Sequence, residues 1–265
     1  MKAEVKTITT DTFTMDYCCF GNGSKPFVII PGISIISVML ASEAVAVQYA
    51  DMAEEYKIYL FDRRKDLPEK YSIHDMARDT AEAIRSIGLK DINLFGASQG
   101  GMISMVIAIE HPELVRKLIL GSTSADMSGN DNGTLADWLR LAKENDKLAL
   151  CQSFGEAIYP PELAKKYAKA FEGMAHLATD EDIRRFLIIA EGTIDFSVID
   201  DLKKIKCPVL AIGSADDKVI DGHAASGIIE AIGNPDNECY IYDGYGHASF
   251  DTAPDYRERM MRFLK

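Results

Sequence analysis

No segment of this chain is apolar for long. The longest runs, such as Phe27-Val28-Ile29-Ile30, fall far short of the roughly 20 residues that cross a bilayer, so the sequence offers no membrane-spanning helix. Residues 1–6, Met1-Lys2-Ala3-Glu4-Val5-Lys6, lead into alternating residues without an apolar leader core, and no secretory signal is expected. Cysteine is scarce and badly placed for cross-linking. The five residues, Cys18, Cys19, Cys151, Cys207 and Cys239, are odd in number, and the first two are adjacent. No C-x-x-C or His/Cys ligand spacing occurs, which argues against a disulfide scaffold and against a metal site. A reduced, cytoplasmic protein without a metal is expected. Positive charge is also in short supply: 29 Lys and Arg against 41 Asp and Glu leave a net charge of −12. Such a field repels phosphate backbones and anionic lipid, so nucleic-acid and membrane partners are not expected. Repeats and low-complexity tracts are missing too.

What is present suits one folded core with a modest insertion. The 265 residues are 47% apolar and 26% charged, enough to build a core and too apolar for disorder. Short β-branched runs alternate with helical patterns. Strands are expected over residues 13–20, 27–30, 56–61, 91–95 and 115–120, and helices over 41–55, 72–87 and 99–110. Ser72 is placed to cap the second helix with Asp75 three residues on, and Gly88 to stop it. The continuous apolar strand 27–30 is of the kind buried on both faces of a parallel sheet. This order predicts an α/β fold with a doubly wound, mostly parallel sheet. From about residue 125 to 197 no strand is predicted, and helices are expected over 134–144, 163–171 and 180–191. Strands resume at 208–212 and 238–242, and a helix over 254–264 closes the chain.

The chemistry-bearing residues sit at the ends of the predicted strands. Gly96-Ala97-Ser98-Gln99-Gly100 fits G-x-S-x-G. By composition alone that pentapeptide turns up in about one chain in ten of this length. Its position directly between a buried strand and a helix is more specific, because a serine on such a turn projects its hydroxyl above the sheet edge. A serine hydroxyl needs a base. Of the five histidines, His247 stands apart from His74, His111, His176 and His223. It lies in the loop Gly244-Tyr245-Gly246-His247 after the last strand, which opens onto the same sheet edge as Ser98. A carboxylate should orient the imidazole. Asp216, in the loop after strand 208–212, is the first choice, its neighbour Asp217 the near rival, and Asp126 a third option.

The chain order Ser98, Asp216, His247 is similar to that of the α/β-hydrolase superfamily, and the similarity extends over essentially the whole length. It includes Ile30-Pro31-Gly32-Ile33 after strand 27–30 and Phe61-Asp62-Arg63-Arg64 after strand 56–61. The resemblance implies a mostly parallel central sheet with helices on both faces and a helical cap inserted after the sixth strand. The core would then comprise residues 1–124 and 198–265, and the cap residues 125–197. It also implies an oxyanion hole made by the backbone N–H groups of Gln99 and Ile33, with no cofactor and a small-molecule substrate. Trp138, Leu139, Phe154, Met174 and Phe186 are candidate pocket residues of the cap. Two features depart from the family pattern: Pro31 stands where a His is common, and Arg63-Arg64 is followed by Lys65-Asp66-Leu67-Pro68 without the usual glycine. The activity implied is hydrolysis of a small carboxylic ester or lactone through an acyl-enzyme. The same triad would also serve C–C or thioester hydrolysis or acyl transfer, and the scaffold can also carry a small-molecule receptor.

Overall fold

The computed structural model describes residues 2–129 and 133–265. Eight strands form one sheet: β1 (Glu4–Thr9), β2 (Thr14–Phe20), β3 (Lys25–Ile30), β4 (Tyr56–Arg64), β5 (Ile92–Ala97), β6 (Val115–Gly121), β7 (Val209–Ser214) and β8 (Glu238–Tyr242). Their spatial order is β1-β2-β4-β3-β5-β6-β7-β8. The β1–β2 and β2–β4 pairs are antiparallel and the rest parallel. The helices are α1 (Ser42–Gln48), α2 (Ile73–Ser86), α3 (Gln99–Glu110), α4 (Thr134–Lys143), α5 (Lys147–Ile158), α6 (Pro161–Leu177), α7 (Asp180–Glu191), α8 (Ala224–Ile232), α9 (Ser249–Thr252) and α10 (Tyr256–Leu264). Among the described residues no helix is long and apolar enough to cross a membrane.

The expected α/β architecture is present, and its layering follows from strand alternation. In β3, Val28 and Ile30 join a core shared with α2, α3 and α8. Phe27 and Ile29 point the other way, into a core shared with α1 and α10. Every residue of β5 and of β7 is buried, and apart from Asn93 and Ser214 these strands read as apolar runs. Ser72 caps α2 as expected: its side chain accepts from the Asp75 amide while the Asp75 carboxylate accepts from the Ser72 amide.

Three differences from the sequence expectation have local causes. β1 is an added edge strand whose residues are exposed except Ile8, so it carries no hydrophobic signature. β4 runs through Asp62, Arg63 and Arg64 because antiparallel pairing with β2 continues to Met15↔Arg64. Helix α5 fills residues between two of the expected helices, making the segment between β6 and β7 a four-helix unit. That unit packs around its own cluster, with Trp138, Leu150, Phe171 and Phe186 at its centre. Its two ends meet at an antiparallel bridge, Asp126↔Ser197, where the Met127 amide donates to Phe196 O and the Val198 amide to Ala125 O.

The parallel strands run outward in both directions from the β3/β5 pair. Loops leaving the carboxyl ends of these two strands therefore diverge, and a crevice opens between them. Helix α3 starts directly in that crevice. A Cβ on Gly100 would lie 2.0 Å from Ile30 O, and one on Gly96 would lie 2.3 Å from Gly100 O. The two glycines of the G-x-S-x-G motif thus let the helix begin in contact with both strands. Gly100→Ala should lose more than the roughly 1–3 kcal/mol of ordinary overpacking, because the clash is with backbone. Gly173→Ala, in the interior of α6 with no atom near the added methyl, should gain about 0.5–1 kcal/mol. Urea unfolding of both variants checks the pair, and a Gly100→Ala protein as stable as wild type would refute the close-approach argument.

Candidate active site

Ser98 lies between β5 and α3 with φ 52° and ψ −124°, a backbone conformation that L-residues rarely adopt. Such strain costs on the order of 1–3 kcal/mol and persists only where surroundings enforce it. Here its amide donates to Gly121 O at 2.8 Å. Its carbonyl accepts from the Gly101 amide at 2.8 Å and from Thr123 Oγ1 at 2.7 Å. The turn lifts the side chain to the crevice, where Gly32 of the loop after β3 lies beside it: a Cβ there would be 3.1 Å from Ser98 Cβ.

His247 sits in the loop after β8 and is 4% exposed. Its Nδ1 is 2.8 Å from Asp217 Oδ2, and both side chains are closed to solvent. The other Asp217 oxygen, Oδ1, accepts from the Val219 and Ile220 amides at 2.8 and 3.0 Å. Asp217 is therefore held by backbone on one side and presents its second oxygen to the imidazole. Asp216, the carboxylate set first from sequence, does not contact His247. It turns instead to the histidine loop, where Oδ1 accepts from Ser214 Oγ, the Gly244 amide and the Gly246 amide at 2.7, 3.1 and 3.1 Å. The correction is by one residue. Successive side chains in this turn leave in different directions, so one carboxylate fixes the histidine and the other fixes the loop that carries it. Asp126 accepts from Ser128 at the neck of the insertion and takes no part in the site.

Ser98 and His247 border one cavity of about 410 Å³. No hydrogen bond joins them among the described residues. Gly32, Ile33 and Gln99 border the cavity beside Ser98, while Met102, Trp138, Phe154, Ile158 and Phe250 supply much of its apolar wall. Of the candidate residues in the insertion, Trp138 and Phe154 line this cavity. Leu139, Phe186 and Met174 pack within the insertion's own core. One carboxylate absent from the sequence reading also borders the cavity: Asp251, four residues beyond His247. Crowding by protein raises its pKa, against the hydrogen bonds from Gln48 and Tyr159 that favour the charged form. Among the described residues no group of three His, Cys, Asp or Glu side chains converges as a metal site.

Desolvation opposes ionisation of Asp216, but the hydrogen bonds from Ser214 and from the Gly246 and Gly244 amides outweigh it and hold its pKa below the ordinary carboxylate value. A depressed folded-state pKa contributes stability that is fully present above the unfolded value of about 3.9. That stability is lost as pH falls through the folded value. Asp216→Asn should therefore lower the urea midpoint at pH 7, and the deficit should narrow toward pH 3 as the wild-type carboxylate protonates. An equal deficit at both pH values would show that the carboxylate's charge is not its source.

Comparisons with known proteins agree with this architecture. The family model described as alpha/beta hydrolase fold matches residues 25–254. The chain is 22% identical over 221 residues to a protein from Stutzerimonas stutzeri (strain A1501) named as a carbamate hydrolase, RutD, covering 78% of this chain and 81% of that one. Among solved structures, MGS-M2, an alpha/beta hydrolase enzyme from a Medee basin deep-sea metagenome library, superposes with a TM-score of 0.85 at 19% identity, over 98% of this chain and 97% of that one. The enol-lactonase from Burkholderia xenovorans LB400 superposes with a TM-score of 0.83 at 15% identity, over 98% and 99%. With the matched region running from β3 past His247, the chain belongs to the alpha/beta hydrolase fold family.

Proposed function

We propose that the protein hydrolyses small carboxylic esters or lactones, with Ser98 as nucleophile, His247 as general base and Asp217 as the carboxylate that orients it. The observation that carries this reading is the strained Ser98 facing the same cavity as the buried His247–Asp217 pair. With Asp217 accepting from Nδ1–H, His247 presents Nε2 as the basic nitrogen. It takes the Ser98 proton as Oγ attacks the carbonyl carbon, and the carbonyl π electrons move onto oxygen. The backbone N–H groups of Gln99 and Ile33 stabilise that oxyanion; a single such donor is worth about 10²–10³ in rate where it has been tested. Collapse breaks the bond to the alcohol oxygen, which takes the proton from His247 and leaves Ser98 acylated. In a lactone the alcohol stays tethered to the acyl group. His247 then deprotonates water, and attack on the acyl-enzyme releases the acid and restores Ser98.

The substrate class rests on the size and lining of the cavity. Its apolar wall suits a short aliphatic or aromatic group, and its volume suits a molecule of modest size. The names of the relatives, a carbamate hydrolase and an enol-lactonase, are both consistent with acyl C–O or C–N cleavage by a serine.

Ser98→Ala and His247→Ala should each lower kcat on 4-nitrophenyl acetate by at least about 10³-fold. Intact-mass spectrometry should find a single fluorophosphonate adduct on the wild type and none on Ser98→Ala. Asp217→Asn should cost on the order of 10²–10⁴ in kcat by stabilising the wrong tautomer, and Asp216→Asn less than that. Full turnover by Ser98→Ala would end the mechanism, and a larger loss for Asp216→Asn would return the orienting role to Asp216.

A further inference from the structure

Arg63 is an anomaly in this site. It lies one residue from the end of β4, is 3% exposed, and forms no ion pair among the described residues. The neighbouring carboxylate, Asp62, is directed elsewhere: Ser37 Oγ donates to it and Arg185 Nη2 lies 3.9 Å away. Burial pushes the Arg63 pKa down to about 10, with Asp62 opposing the shift, so the side chain is still cationic at neutral pH. Burial of a cation against neutral acceptors is unfavourable, and ordinary core packing needs no such residue.

Its contacts suggest a use. A single nitrogen, Nη2, donates to Pro31 O and to Gln99 Oε1, each at 2.9 Å. Pro31 opens the loop after β3, and Gln99 opens helix α3. Across a trans peptide the carbonyl and the following N–H point in opposite directions, so anchoring Pro31 O at Arg63 turns the Gly32 N–H away from Arg63. That fixes the start of the turn leading to Ile33. The Gln99 amide is held at its other end as well: Nε2 donates to Ile189 O at 2.7 Å and to Thr193 Oγ1 at 2.8 Å. Both atoms of the Gln99 carboxamide are thus tied in buried hydrogen bonds, which restrict how far the first residue of α3 can move.

We propose that Arg63 is the positioning residue of the oxyanion hole, holding through one guanidinium nitrogen both backbone segments that supply its donors. The proposal rests on the reading of Ser98 as nucleophile. Arg63 does not border the cavity, and its effect passes through Pro31 and Gln99. Loss of Arg63 should loosen the donors while leaving the serine–histidine pair and the acyl pocket in place.

The test compares 4-nitrophenyl acetate with its thiono analogue, in which sulfur replaces the carbonyl oxygen. Sulfur is a weak hydrogen-bond acceptor, so turnover of the thionoester draws little on the hole. For Arg63→Met, kcat on the oxoester should fall about 10–10²-fold, as for misplacement of about 1 Å at a reacting centre, with KM changed less than about threefold. The thionoester rate should stay within about threefold, collapsing the oxo/thiono ratio. Arg63→Lys, which keeps the charge and can still donate, should restore part of the ratio. If Arg63→Met does not fold, Arg63→Gln carries the same comparison. A proportional loss on both substrates, or no loss on either, would overturn the proposal while fluorophosphonate labelling of wild-type Ser98 keeps the nucleophile reading intact. A folded wild type that takes no label would bring down both.

Discussion

The approach of helix α3 to the carboxyl end of β3 is the constraint on which the site depends. Gly100 brings the first turn of α3 against Ile30 O, and Gly96 lets β5 pass under Gly100. A chain that must leave β5 and enter a helix in so little space forces the residue between into positive φ, and that residue is Ser98. The strain is offset by the hydrogen bonds that Ser98 exchanges with Gly121, Gly101 and Thr123. The same close approach places Gln99, the first residue of α3, beside the loop after β3. One packing contact thus sets the serine, the helix N-terminus and the neighbouring loop together, and the partial positive charge of that helix end lies beside Ser98.

A second division of labour is visible in the two adjacent aspartates. An imidazole in a glycine-rich loop has two degrees of freedom to lose: the path of the loop and the rotation of the ring. Asp216 restrains the first through the Gly244 and Gly246 amides, and Asp217 the second through Nδ1. Both oxygens of Asp216 accept from the Gly246 amide, so neither is directed at the ring, whereas Asp217 spends only Oδ1 on backbone and keeps Oδ2 for Nδ1. The arrangement also explains why the two differ in exposure to water: the Asp217 side chain is almost fully closed, as a partner of a buried histidine must be, while Asp216 sits nearer the surface.

What could be read from sequence was whatever has a local signature. The strand–elbow–helix unit around Ser98 is spelled out by glycine spacing and an apolar run, the α2 cap by Ser72 and Asp75, and His247 by its place after the last strand. Asp217 was not separable from Asp216, since the choice depends on which way each side chain leaves a turn, a property of backbone geometry and not of residue type. Strand β1 has one buried residue, so the alternation at the start of the chain marks no buried face. Helix α5 was hidden because Gly155 lies in its interior, where the Phe171 ring of α6 packs directly against it; a glycine that serves close helix contact looks in sequence like a break. Arg63 was invisible for a related reason. Arginine is almost always a surface residue, and nothing in Asp62-Arg63-Arg64 marks which of the two basic side chains turns inward.

The helices between β6 and β7 contact both the start of α3 and the histidine loop. At one end, Ile189 and Thr193 hold the Gln99 side chain at the start of α3. At the other, the joint between α5 and α6 abuts the histidine loop: the Ala248 amide donates to Ile158 O at 2.9 Å, and Tyr159 donates to Asp251. The neck of the insertion is closed by the Asp126↔Ser197 bridge. A displacement of the whole insertion would therefore pull on the serine turn and on the histidine loop at once. Trp138, Phe154 and Ile158 belong to that same body and form part of the cavity wall. The cavity wall, the anchor of the Gln99 side chain and the support of the histidine loop are therefore parts of one packed body, so a substitution that reshapes the wall also acts on the helices that place the neighbours of Ser98 and His247.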